Sequence, residues 1–388
     1  MKRRYLIAFL LLFTVFSLLP IILFITWLLK PAYELKVAIL DKTAVTKEMN
    51  EHKSLDWVLD HEKFCKPDRS LYSSTEDYYG FFPLANNKFF IKDFEGNSDS
   101  TLRIIANKID LMYVTDTYGV YDREWYHSVY RGEFSNLIYG GMSQKEFTLL
   151  KILKEEKKLV LTEYNTFATP TPVFVRTEFE NTFGLKWTGW AGRFIDDLDT
   201  TRNKEIPIWL INDYKTQHNN KWPFNKSGIV FVHENGRVEV LEFMRDLKEE
   251  IPSIFTNERN QKRYGVPAKI KYSYWFDVVL TKRSNNVSSV YYINSNARGD
   301  SLLNDMKIPN PFPAVIEHTD DYKFYYFCGD FSDNPIDLLY SKFAYITLFH
   351  PLFYSESEPA ERESFFWRFY QPMITTILKN YYYTLPNK

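Results

Sequence analysis

Two acidic residues stand where a sheet-based enzyme would want them. Asp116 ends the run Ile109-Asp110-Leu111-Met112-Tyr113-Val114, and Glu163 ends Leu159-Val160-Leu161. If the two runs are neighbouring strands, the carboxyl groups come close. A carboxylate pair is what glycoside hydrolysis needs, one as acid and one as base or nucleophile. Asp116 and Glu163 are therefore the catalytic candidates. Helix capping or hydrogen bonding to loop amides accounts for the same residues without chemistry. Asp41 ends Lys36-Val37-Ala38-Ile39-Leu40, Gly140-Gly141 follow Asn136-Leu137-Ile138-Tyr139, and Asn165 lies just past Glu163. Carboxylates accept hydrogen bonds from hydroxyl groups, and paired glycines let a ligand approach the backbone.

A second cluster is Trp187-Thr188-Gly189-Trp190-Ala191-Gly192-Arg193. Two indoles with an Arg can form a carbohydrate platform. Equally, the glycines can permit a turn while both rings pack inside. The ligand-binding candidates are thus Asp41, Gly140, Gly141, Asn165, Trp187, Trp190 and Arg193. The aromatic stretch Asp77-Tyr78-Tyr79-Gly80-Phe81-Phe82-Pro83 is either a loop at the ligand-binding edge or a plug.

Other chemistries find no support. No CxxC or HExxH occurs, and His52 and His61 lack ligand spacing, so neither a metal nor a cofactor is expected. The formal net charge of −1, with both signs mixed, gives no footprint for nucleic acid. Cys65 and Cys328 can pair in an oxidising compartment, but two cysteines make no disulfide framework.

The elements that must position these residues read as α/β. Short apolar strands alternate with helices such as Gln144–Glu155, which implies right-handed crossovers and an open, mostly parallel sheet with helices on both faces. Ligands bind such sheets outside the carboxyl ends of the strands. That edge holds Asp41, Asp116, Gly140, Gly141, Glu163 and Asn165. The middle reads as an antiparallel, β-rich insertion: Ile206–Ile211, Gly228–His233, Arg237–Glu242, Lys269–Thr281 and Ser288–Asn294 have strand character. Glu234-Asn235-Gly236-Arg237 carries a hairpin signal. Ala314–Glu317, Lys323–Phe327 and a closing helix Glu361–Leu378 return to α/β character.

Tyr5 to Leu29 contains no Asp, Glu, Lys or Arg. At ~1.5 Å per residue this is long enough to cross a ~30 Å hydrocarbon core, so a transmembrane helix is expected. Lys2-Arg3-Arg4 ahead of it places the N-terminus in the cytoplasm and the body outside, with the lipid bilayer as partner through Tyr5 to Leu29. The expected division is 1–30 stub and anchor, 35–200 first α/β part, 201–305 insertion or second lobe, and 306–388 return with the C-terminal helix.

Three stretches resemble the class I glutamine amidotransferase-like superfamily, a flavodoxin-like α/β group. They are Ile138-Tyr139-Gly140-Gly141 opening a helix, Lys158-Leu159-Val160-Leu161-Thr162-Glu163-Tyr164-Asn165, and Lys323-Phe324-Tyr325-Tyr326-Phe327-Cys328-Gly329-Asp330. The resemblance implies that fold over 35–200 and 305–388. It also implies a Cys nucleophile on the turn after a strand, where this chain carries Glu163-Tyr164-Asn165. Glutaminase activity is therefore not expected, since a carboxylate cannot replace a thiolate in that route. The expected function is a membrane-anchored binding or scaffolding protein with a glycan or protein ligand, in envelope or polysaccharide assembly. The alternative is an anchored hydrolase acting on glycans.

Overall fold

The structure is a computed structural model that describes residues 2–126, 135–355, 357–358 and 360–386; in the first helix, side chains are described for Tyr5 and residues 17–29. The chain is α/β, but its main sheet is mixed rather than mostly parallel. Its strands are β1 (Val37–Asp41), β2 (Tyr79–Pro83), β3 (Phe89–Lys92), β4 (Leu111–Asp116), β5 (Leu159–Glu163), β9 (Ser253–Thr256), β10 (Lys269–Lys271), β12 (Asn286–Tyr292), β13 (Phe312–His318) and β14 (Lys323–Phe327). They run in the order β10-β9-β12-β13-β14-β5-β4-β1-β2-β3. Only β14, β5, β4, β1 and β2 are mutually parallel; every other pairing is antiparallel.

A second, four-stranded antiparallel sheet has the order β8-β7-β6-β11, from β6 (Leu185–Ile195), β7 (Gly228–His233), β8 (Val238–Glu242) and β11 (Trp275–Thr281). The middle of the chain is thus not set apart. Some of its strands build this sheet, and β9, β10 and β12 extend the main one.

The parallel strands are buried on both faces, which is why they read as unbroken apolar runs. One helical layer contains α2 (Asn50–Glu62) and the C-terminal helix α7 (Gln371–Tyr382). The other contains α3 (Asp99–Asn107), α4 (Gln144–Glu155) and α5 (Val173–Phe183). Phe324 stacks on Phe183 of the second layer, 4.4 Å between ring centres, while adjacent Tyr325 turns to Tyr264. Trp57 of α2 is fully buried, edge-on to Phe366 and Trp367. Burial of an aromatic side chain of this size contributes roughly 2–3 kcal/mol.

Several expected elements differ. Ile206–Ile211 is not a strand; α6 (Ile208–Gln217) starts there, with Pro207 at its N-cap. Ile206, Leu210 and Tyr214 are buried at helical spacing, in a satellite core under β7 and β8. Leu137–Tyr139 pairs only with Val120–Tyr121, off the main sheet. Asp77–Pro83 is no free loop: Tyr79–Pro83 is β2, and buried Tyr78 stacks on Phe82 at 4.0 Å.

The membrane span also requires correction. A helix α1 does form over Lys2–Leu29. Among the described residues, however, no helix is long and apolar enough to cross a membrane. The helix runs on to Leu29, beside the body. Its end is fastened to the body. Trp27 is buried, and its indole N–H donates to the Asp60 carbonyl at 3.2 Å. The Leu23 carbonyl accepts from the Ala344 amide at 3.0 Å. The single-pass placement, with cytoplasmic N-terminus and extracytoplasmic body, falls with the span.

Gly80 joins β2 to β1 beside Asp41. Its φ is +137°, and a Cβ there would lie 1.6 Å from the Asp41 carbonyl oxygen. Gly80→Ala should therefore cost about 3 kcal/mol or more, from strain and overpacking together. Chemical denaturation checks this; an unchanged midpoint would contradict the tight approach.

Candidate functional site

The parallel strands β1 and β4 are hydrogen-bonded neighbours, and Asp41 pairs with Asp116 in register. Asp41 is fully buried and fully engaged. Its Oδ1 accepts from the Thr43 and Ala44 amides at 2.9 and 3.2 Å, and its Oδ2 lies 2.6 Å from His52 Nδ1. His52 Nε2 lies 2.8 Å from the Ser74 carbonyl. Burial opposes a charged imidazole, but the Asp41 hydrogen bond and the Asp56 and Asp41 charges prevail, raising His52 to about 9. The pair is a buried ionic tie between β1 and α2.

Asp116 is different. It is about 6% exposed, and its Oδ1 accepts from the Tyr118 amide at 2.6 Å. Burial, aided by the Asp41 charge, pushes its pKa up to about 8. Glu51 is likewise raised to about 8, by burial and then by Asp41. Asp330, beyond β14, is held well above the carboxylate range by burial and by the charges of Asp333, Glu163 and Asp116. The shift of Asp116 to about 8 favours its protonated form at neutral pH, which can donate as well as accept, and Asp330 is shifted in the same direction. Asn165 takes φ +61° on the turn after β5, and its carbonyl accepts from Thr117 Oγ1 at 2.9 Å. Burial first, and the neighbouring Asp116, Asp277 and Asp330 second, raise the pKa of Tyr164, and its ring stacks toward Trp275 with centres 6.2 Å apart.

Glu163 has other surroundings. It is fully buried, and its Oε2 accepts from Tyr113 Oη and the Phe331 and Ser332 amides at 3.2, 3.1 and 3.2 Å, while Ser332 Oγ donates to Oε1. Burial holds its pKa well above the usual range. It joins strand ends to a loop and offers nothing to a cleft. Gly141, at φ +72°, donates from its amide to the Thr117 carbonyl at 2.6 Å, and its carbonyl accepts from Lys42 Nζ at 2.8 Å. A Cβ on Gly140 would lie 2.6 Å from the Tyr118 carbonyl, so both glycines serve chain packing. Trp187 and Trp190 are buried. Trp187 Nε1 donates to the Trp190 carbonyl at 3.2 Å, and Trp190 Nε1 to that of Met306 at 3.0 Å. They form no platform.

Arg193 stands apart from them, on the wall of a cleft of about 180 Å³ that Tyr274, Trp275 and Arg362 also line. The Asp330 amide donates to the Trp275 carbonyl at 3.0 Å, so this cleft adjoins the carboxyl edge. The edge therefore gathers Asp41, Asp116 and Asn165 as expected from the sequence. It adds Glu51, His52, Asp330, Asp333, Tyr274 and Arg362, which sequence reasoning passed over. The His52–Asp56 spacing of four on a helix was the available signal for one of them. Among the described residues no group of His, Cys, Asp and Glu is arranged to hold a metal.

No protein-family model matches the chain, and no curated protein does. Among solved structures the chain is similar to proteins described as ThuA-like. One, from Parabacteroides merdae, is 10% identical with a TM-score of 0.34, over 77% of this chain and 79% of that one. Another, from Bacteroides uniformis, is 10% identical with a TM-score of 0.33, over 80% and 90%. A cold-adapted β-galactosidase from Rahnella sp. R3 is 12% identical with a TM-score of 0.31, over 84% of this chain and 33% of that one.

Two outcomes follow from the site's electrostatics. A carboxyl raised from ~3.9 when unfolded to about 8 when folded binds a proton in the native state only, between those values. Its contribution is complete below pH ~4 and is lost as pH rises through about 8. Asp116→Asn should flatten the decline of unfolding free energy between pH 4 and 8, read by urea melts across that range. A slope identical to wild type would contradict a protonated Asp116. Glu163→Gln places an NH₂ among donors, so it should destabilise the fold by ~1–3 kcal/mol. A melting temperature equal to wild type would refute the clamp.

Proposed function

We propose that this chain is a non-catalytic binding or scaffolding protein that takes a hydroxyl-rich ligand, a glycan, at the carboxyl edge of its parallel strands. The observation that carries the reading is the state of the carboxyl groups there. Burial raises Asp116 to about 8 and raises Asp330 as well, which favours the protonated form that exchanges hydrogen bonds with hydroxyls in both directions. Hydrolysis of a glycosidic bond needs an ionised base or nucleophile beside the acid. Of the other carboxyl groups, Asp41 is committed to His52 and two amides, Asp333 to Arg362, and Glu163 to its hydroxyls and amides, while burial raises Glu51 to about 8. This favours binding over the glycan hydrolase reading. Polysaccharide assembly is the setting in which such a binder would serve.

Amide hydrolysis is disfavoured on similar grounds. The turn after β5 carries Asn165, not a thiol, and both Cys65 and Cys328 are buried. Burial holds the Cys328 thiol well above its ordinary pKa, away from the nucleophilic thiolate.

The test is a calorimetric screen of the full chain against neutral and acidic oligosaccharides, with reducing ends and ammonia from glutamine assayed in parallel. Binding without new reducing ends or ammonia is expected. Turnover of a glycan lost in Asp116→Asn would install the hydrolase instead. Ammonia release abolished by Cys328→Ala would overturn the exclusion of glutaminase chemistry.

A further inference from the structure

The cleft beside the carboxyl edge carries a charge that the fold leaves unanswered. Arg362 is committed: its Nη1 donates to the Asp333 carbonyl at 2.8 Å and lies 3.5 Å from Asp333 Oδ1. Its guanidinium also lies 3.7 Å from the centre of the Tyr274 ring. Arg193 is not committed. It stands 5.4 Å from the Tyr274 and Trp275 ring centres, and its buried Nε has no hydrogen-bond partner. Asp196 and Glu205 line the same cleft, both exposed and neither paired with it among the described residues. A buried guanidinium N–H without an acceptor is rare in a folded protein and asks for an explanation.

We infer that this cleft binds the carboxylate of an acidic sugar, a single uronate unit, with Arg193 as its counter-charge and Trp275 as the wall for its ring. The inference rests on the glycan reading above and narrows it. A guanidinium presents a planar fork of donors that matches a carboxylate in two parallel hydrogen bonds. Cation–π contact with the Tyr274 and Trp275 rings favours the guanidinium at the cleft wall. Trp275 and Tyr274 are half-buried, so each keeps ring surface for the apolar face of a pyranose. At about 180 Å³ the cleft is smaller than the ~300–1,000 Å³ of drug-sized sites, which suits one ring rather than a long chain. Trp275 links this cleft to the carboxyl edge, through its carbonyl to the Asp330 amide and through its ring to Tyr164.

The experiment is calorimetry of the full chain with D-galacturonate and D-galactose, at low and high salt, for wild type, Arg193→Gln and Arg193→Lys. Wild type should bind galacturonate about tenfold tighter than galactose, a difference of ~1.4 kcal/mol, and salt should reduce that preference. Arg193→Gln should abolish it. Arg193→Lys, with charge but no fork, should keep part of it, and it supplies the test if the Gln variant misfolds. Equal binding of the two sugars by wild type, or a preference kept in Arg193→Gln, would overturn the inference while leaving the glycan reading standing. Absence of binding by both sugars, and by the oligosaccharides of the wider screen, would remove the glycan reading as well.

Discussion

The structure depends on one buried carboxyl group. Glu163 sits at the end of β5, between β14 and β4 in the parallel set, and gathers the ends of elements far apart in sequence. Tyr113 of β4 reaches it with a hydroxyl, which also lies 3.2 Å from that of Tyr370, just before α7. The loop after β14 reaches it with the amides of Phe331 and Ser332. Ser332 Oγ contacts both Glu163 Oε1 and the Glu51 carbonyl of α2. Burial raises the pKa of the group, the hydrogen bonds it accepts from Ser332, Tyr113 and the Phe331 amide oppose that shift, and the carboxyl acts as a junction. The loop that Glu163 holds is the one that carries Asp330 and Asp333. The clamp thus decides where the edge's carboxyl groups stand.

From that junction the division of labour along the edge follows. Asp41 is spent on an ionic tie to His52, which docks α2 against β1. Asp116 and Asp330 are raised by burial first and by the charges of other acids second. Both effects disfavour the ionised form of a carboxyl group. The same chemistry at four strand ends yields a structural ion pair, a structural junction and a pair of hydrogen-bonding acids. Burial and neighbours, not residue type, separate the roles.

The α/β class, the parallel strands and the composition of their carboxyl edge were legible because double-sided burial writes itself as apolar runs ending in polar residues. What was not legible depends on contacts distant in sequence. Nothing near Ile206–Ile211 announces that its alternate burial is helical, because Pro207 suits an extended segment as well as a helix start. Trp187 and Trp190 look like a platform until β11 and Met306 cover them. Arg362 and Tyr274 belong to the site only because segments nearly ninety residues apart meet at Asp333. The uncharged run Tyr5–Leu29 shows the opposite limit. Length and apolarity suggested a span, whereas the described turns are tied to α2 and to Ala344.

The account's central claim is that the carboxyl edge meets its ligand with neutral acids. Carbon-13 NMR of aspartate side-chain carboxyls, titrated with and without D-galacturonate, reads this directly. The account predicts that the Asp116 carboxyl stays protonated until about pH 8 and that its resonance shifts when the sugar is added at neutral pH. A carboxyl that titrates near its ordinary ~4, or a resonance unmoved at saturating sugar, would contradict it.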